Sequence, residues 1–371
     1  MSTTTSIPRA GQIECVCEPG ALGETSEGRS SVALLAIAFS LSILSQIFSL
    51  SILPLAGLAL APSDSLATLP YAAFYAGAAL ASLPASLLLD AFGRRAAFSL
   101  GASLGAAGGM VLVFALTTFR FGALVLGAFW LGIASGFSLF YRHAAVPVGG
   151  KGTSAILIVF GAASVAGIVA PTLGATAEAF AAPREFVGLA AAAALAHVGS
   201  LIATAALPYR RIREEVNEAN NPQGWRAIVL PTAIGAAAWF LMTGLMGATP
   251  IAMVGCGLSD AVSGTIAWHV MAMYTPSLVL LAFRNAVKPP VIVSFGALLL
   301  VAAAAIFAFS SKVAGFSVSA TLLGAGWSLA TLGTTLWIHK DGRPSRRLLG
   351  AHDAALLSAA LLGALAAQTF A

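Results

Sequence analysis

Between positions 242 and 273 the chain gathers most of its methionines, with a cysteine and a histidine among them, side chains able to hold a soft metal ion. Of the seven methionines in the protein, five (Met242, Met246, Met253, Met271 and Met273) lie there, together with Cys256 and His269. Thioether, thiolate and imidazole favour Cu(I), whereas Mg, Ca and Mn prefer carboxylate and carbonyl oxygen. Met242 and Met246 are four apart, as are His269 and Met273, and residues i and i+4 share one face of a helix. Each of two helices would then present a two-ligand stripe. Neutral ligands of modest strength suit an ion that must leave as readily as it enters. Methionine in an apolar helix also has an ordinary use as packing filler. Met253 and Cys256, three apart, extend the series, so the expected order is Cys256 and Met253, Met246, Met242 with His269, then Met273.

These residues need helices in lipid to position them. Of the 371 residues, 58% are hydrophobic and only 9% charged, with a mean hydropathy of +0.91; soluble domains carry about 25% charged residues. The apolar residues come in runs of roughly the twenty needed to cross about 30 Å of hydrocarbon, and Gly and Ala within them allow close helix packing. Nothing resembles the alternating ten-residue segments of a β-barrel. The expectation is an all-α polytopic membrane protein with eleven recognisable spans, at 33–62, 66–89, 95–117, 121–141, 153–176, 185–207, 227–248, 261–283, 290–310, 313–338 and 351–371.

The organisation follows: a flexible tail over 1–30, a six-helix bundle over 31–207, a polar linker over 208–226 and a second bundle over 227–371. With the N-terminus inside, all of the 19 Lys and Arg except Arg120, Arg184 and Lys312 fall in the tail or in inner loops, the bias that sets orientation in a bacterial inner membrane. The net charge of +5 is thus a topology signal and not a nucleic-acid footprint. At about 1.5 Å of rise per residue, Met242 lies roughly 22 Å above the inner edge and His269 roughly 18 Å above it. The two stripes therefore meet at similar depth.

Other residues carry weaker expectations. Cys15 and Cys17 in the inner tail pair two thiols that could accept Cu(I) on arrival, or are two free thiols in a reducing compartment. His143 reads as a solvated inner-loop residue and His197 as a helix contact. His352 and Asp353 could serve proton coupling, although adjacent helical residues do not face the same way. Trp239, Trp268 and Trp327 read as core or as stacking surfaces for a flat ligand. No phosphate-cradling loop, paired carboxylates or nucleophile set appears, so the chain does not read as an enzyme.

Six spans, a charged linker and a second set of spans resemble the major facilitator superfamily, whose fold is two helical bundles. Asp90-Ala-Phe-Gly-Arg-Arg95 is similar to that family's loop signature, with Ser86 in place of a Gly and Ala91 in place of the first basic residue. By this resemblance Asp90, Gly93, Arg94 and Arg95 form the conformational loop that latches the two halves, and twelve spans are expected where eleven are found. Met242-x3-Met246, His269-x3-Met273 and the intervening Cys256 resemble the CcoA-like branch, associated with copper import for cbb-type cytochrome c oxidase. The segments MVGCG, AWHVMAMYTPS and SLATLPYAAFYAGAALASLPASLLLDAFGRR carry the likeness over most of 31–340. It implies Met242, Met246, His269 and Met273 as copper ligands and Cys256 as an accessory thiol. Copper would then be cargo and not a resident cofactor, moving from periplasm to cytoplasm, with a cytoplasmic chaperone or copper-exporting ATPase as candidate partner. The wider family includes riboflavin importers, so riboflavin or another small organic solute is the alternative. A non-transporting scaffold or sensor is the third expectation, prompted by the span count.

Overall fold

The computed structural model describes residues 23–146, 152–208, 224–284, 286, 288–340 and 344–370. Among them the regular structure is helical: α1 (Gly23–Leu60), α2 (Leu69–Thr118), α3 (Phe121–Ala144), α4 (Thr153–Ala181), α5 (Val187–Ala205), α6 (Trp225–Gly255), α7 (Val262–Ala282), α8 (Pro289–Ala308), α9 (Val313–Ile338) and α10 (Arg346–Phe370). All ten are long and apolar enough to cross a membrane. Hydrocarbon offers backbone groups no partner, so helices that satisfy their own N–H and C=O groups are the stable solution. With 50 residues, α2 is about 75 Å long, more than twice the bilayer core. It breaks at Gly93, with φ 78° and ψ 173°, a region open essentially to glycine alone. Each arm of α2, 69–92 and 94–118, is itself about the length of one crossing, so the described helices agree roughly with the eleven spans expected. The first expected span, 33–62, falls in the single helix α1, which ends at Leu60.

Several boundaries differ from expectation, and each matters for the site. The fourth crossing continues through Ala144, which draws Arg142 and His143 into helix. The seventh runs to Gly255, past Pro250, because Thr249–Gly255 is itself apolar; the outer loop is shorter than expected. The last helix begins at Arg346, so that residue belongs to helix and not to a loop.

Helices α1–α5 pack on one another, as do α6–α10; across the two groups α2 meets α10 and α4 meets α7. Small residues permit the tightest approaches. A Cβ at Gly108 (α2) would lie 3.0 Å from the Gly127 carbonyl (α3), and one at Gly127 would lie 3.0 Å from that of Gly108. Gly296 on α8 and Gly326 on α9 repeat this reciprocal contact at 2.9 Å each way. Each group thus closes one helix pair by the same backbone-to-backbone device.

Candidate functional site

A cavity lies between the two groups of helices. It runs from the middle of the bundle to the end carrying the 61–68 and 256–261 connections, where it opens. We call this the mouth end and the opposite one, where residues 209–223 connect α5 to α6, the linker end. Near the mouth the walls are the last turns of α1 and α6 and the first turns of α2 and α7, with Leu55, Tyr71, Pro250 and Val262. Eight aromatic side chains line it, and no Asp, Glu, Lys or Arg is among the lining residues.

The floor is an aromatic cluster built from both groups. Phe39 of α1 and Phe160 of α4 lie 5.7 Å apart between centroids. Phe160 lies 5.3 Å from Tyr274 of α7 and 5.9 Å from Trp327 of α9. Trp239 of α6 meets Trp327 edge to face at 4.9 Å. Both tryptophans are buried, and neither indole N–H has an acceptor among the described residues. A buried indole N–H ordinarily finds one, so the floor holds two idle donors beside a large aromatic surface.

The expected ligand residues divide. Met242, Met246, His269 and Met273 all line the cavity, although α6 and α7 scarcely touch each other directly. The Nδ1 of His269 donates to the Ala320 carbonyl at 2.8 Å, which leaves Nε2 as the ring nitrogen with a free lone pair. Met253 and Cys256 do not belong to this wall. Met253 is fully buried in the last turn of α6, and Cys256 is exposed as that helix's cap. The extra helical turns carry both away from the path expected for them. Cys15 and Cys17 lie outside the described residues. Trp268 is 57% exposed on the outer face of α7 and off the cavity, whereas Trp239 and Trp327 are on it. His197 is a buried contact whose ring lies against Gly105.

The linker end is closed by polar contacts between the two groups. Arg142 of α3, with a side chain only 1% exposed, donates through Nη2 to Asp353 Oδ1 of α10 at 2.6 Å, and Asp353 is fully buried. Arg142 also donates to Thr335 Oγ1 of α9 at 3.3 Å and to the Leu139 carbonyl at 2.9 Å. His143 is 2% exposed, not solvated as its place near a loop suggests, because Asp353 across the interface supplies a carboxylate 3.5 Å from its Nε2. Its Nδ1 lies 2.9 Å from Nε2 of His339. His352 turns away from Asp353 to hydrogen-bond Thr232 of α6 at 2.8 Å.

The segment Asp90–Arg95, expected to be the conformational loop, lies beside this cluster. Asp90 does bridge the halves, but its partner is Arg346 of α10 at 3.1 Å, which also donates to the Leu89 carbonyl. Arg94 donates to the Ala144 carbonyl within its own half, while Arg95 is exposed. Ser86 abuts Gly350 of α10. Sequence reasoning missed the Arg142–His143–His339 grouping. The signal was present as an Arg-His pair and a lone Asp, each at the end of an apolar run, but their meeting is a tertiary fact.

No family model matches the chain. It is 31% identical over 343 residues to the riboflavin transporter RfnT of Brucella anthropi, covering 89% of this chain and 86% of that one. Among solved structures, the human organic anion transporter MFSD10 (TETRAN) superposes with a TM-score of 0.69 at 16% identity, over 94% of this chain and 92% of that one. The major facilitator superfamily transporter FucP, in its outward conformation, superposes with a TM-score of 0.55 at 13% identity, over 92% of this chain and 100% of that one. The structures share the fold, and the likeness to RfnT spans most of both chains. The chain belongs to the family of that transporter and has the fold of the major facilitator superfamily structures.

Proposed function

We propose that the protein is a secondary transporter for riboflavin or a closely similar uncharged flavin, carrying it from periplasm to cytoplasm across a bacterial inner membrane. The linker end and the N-terminus face the cytoplasm in this reading, in keeping with the distribution of Lys and Arg. The observation that carries it is the cavity wall: eight aromatic side chains, two idle indole donors and no charged residue. A flat tricyclic ring with carbonyl and ring-nitrogen acceptors finds in that wall both a stacking surface and donors. Gln46 and the free Nε2 of His269 add polar groups for hydroxyls or a ring N–H. The wall has no cation to recognise a phosphate or carboxylate, so a phosphorylated flavin fits it poorly. Likeness to a protein named as a riboflavin transporter supports the same cargo.

Copper is the second reading, favoured by one observation: the two thioethers of α6 and the imidazole and thioether of α7 all face the same cavity. One experiment separates the two. Uptake of labelled riboflavin and of labelled copper is measured in cells lacking other importers of each, with Met242→Leu/His269→Gln and Trp239→Ala variants. Leu replaces Met at nearly constant volume and the Gln carbonyl can accept where Nε2 of His269 did, so the first variant keeps flavin uptake within a few-fold. The second lowers apparent affinity about tenfold or more, as loss of one stacked ring costs about 1–3 kcal/mol. Copper uptake that needs Met242 and His269, with no flavin uptake above control cells, would reverse the assignment. Flux of neither, with a stably co-purifying partner, would make the protein a scaffold or sensor.

A further inference from the structure

The cluster at the linker end has features that closing a cavity does not require. A simple seal between two helical groups could be apolar, as the floor above it is. Here a carboxylate and a guanidinium are buried together, and two imidazoles extend from the carboxylate toward the surface. Asp353 Oδ1 holds Arg142, while Oδ2 faces Nε2 of His143 at 3.5 Å. His143 continues to His339, which caps α9 and is half-buried.

On the cavity side, Trp327, Thr331 and Thr335 are spaced four apart and form one stripe of α9 from the cavity floor to Arg142. The hydroxyls of Thr331 and neighbouring Ser328 are buried and lack partners among the described residues. Unsatisfied hydroxyls in a row are where water can bridge. Polar groups therefore run from the floor through the ion pair to the linker end.

We propose that Asp353 is a proton-binding site through which this transporter couples its cargo to a proton. With the linker end shut, the carboxylate is ionised and bound to Arg142. Parting the two groups would strand both ions in an apolar interior, where each alone is costly. A proton arriving from the cavity along the α9 stripe binds Oδ2 and neutralises Asp353. The linker end then opens without exposing a bare buried carboxylate, while Arg142 keeps its bond to the Leu139 carbonyl on its own helix and is hydrated by water entering from the linker side. The proton leaves through His143 and His339 into water on the linker side, and the ion pair re-forms. The charged or titratable groups facing Asp353 are Arg142 and His143 from α3, and the adjacent His352 turns its ring away to Thr232. Beyond them, α9 contributes His339 and α6 the hydroxyl of Thr232, while Asp90 of α2 is engaged by Arg346.

The test needs no cargo, so it stands apart from the flavin assignment. Spin labels are placed at Arg95→Cys and Arg347→Cys, exposed positions on the two halves at this end, in the full chain with Cys15, Cys17 and Cys256 changed to Ser. Inter-label distances are recorded from pH 8 to pH 5. The long-distance, open population is expected to rise by up to about tenfold per pH unit, the limit for one proton. In Asp353→Asn it should be the same at every pH, and in His143→Gln the pH response should persist. A distance distribution unmoved by pH in the unmodified pairing would overturn the proposal. So would a response that survives in Asp353→Asn, or one lost in His143→Gln alone.

Discussion

The two ends of the molecule are built from opposite chemistry. The mouth end presents a wide aromatic surface without a formal charge, whereas the linker end concentrates the buried charges between the halves. Stacking and dispersion contacts lose strength gradually as surfaces slide, so a wall of rings tolerates both cargo and motion. A buried ion pair instead holds fully or fails, because either ion alone is badly solvated. The cavity is thus suited to hold a solute, and the closed end to switch. The linker end also contains its own contrast. Arg142–Asp353 is fully buried, while Asp90–Arg346, close by, has side chains 43% and 14% exposed respectively. The charges run in opposite senses, with the cation from the first half in one pair and from the second half in the other.

Removing one buried partner should have the largest effect. Arg142→Ala leaves Asp353 without its guanidinium and is expected to cost about 3–5 kcal/mol, read as a large drop in the thermal midpoint of purified protein in detergent. Arg142→Met/Asp353→Leu, which removes both ions, should be milder than either single change. Equal losses in the single and double variants would mean that packing, and not charge, holds this end together.

Next in size is the hinge between the arms of α2. A Cβ at Gly93 meets nothing within 4 Å, so Gly93→Ala tests backbone conformation and little else. At φ 78° and ψ 173° the strain should cost about 1–3 kcal/mol in the same midpoint measurement. A neutral result would mean that the loop relaxes freely. The switching end would then owe its rigidity to side chains alone.

The two ends were also unequally legible in the sequence. Crossings follow from length and hydropathy, which set helix existence directly, and the tenth matched residue for residue at 313–338. The cavity-facing stripe was readable because Met242/Met246 and His269/Met273 repeat every four residues. Its aromatic floor was not, since Phe39, Phe160, Trp239, Tyr274 and Trp327 come from five separate helices and share no local period. The linker end was hardest. Arg142 and His143 read as loop residues because a charge ends an apolar run, and only the facing Asp353 makes their burial tolerable. Asp353 itself stood out as a carboxylate within a span, but its partner lies 211 positions away.

The smallest expected effect belongs to the exposed pair, and it completes the contrast. Asp90→Asn removes one charge from a contact open to water on the carboxylate side. Arg346 keeps its bond to the Leu89 carbonyl, so the guanidinium is not stranded, and the new amide can still accept through its oxygen. Pairs of this kind are worth about 0.2–1 kcal/mol and weaken with salt. The variant should therefore lower the midpoint slightly in dilute buffer and match the parent at high ionic strength, whereas Arg142→Ala should remain destabilised at every salt concentration. A loss for Asp90→Asn as large as that for Arg142→Ala, and equally deaf to salt, would make Asp90–Arg346 the principal lock. Asp353 would then be left with binding a proton as its main task.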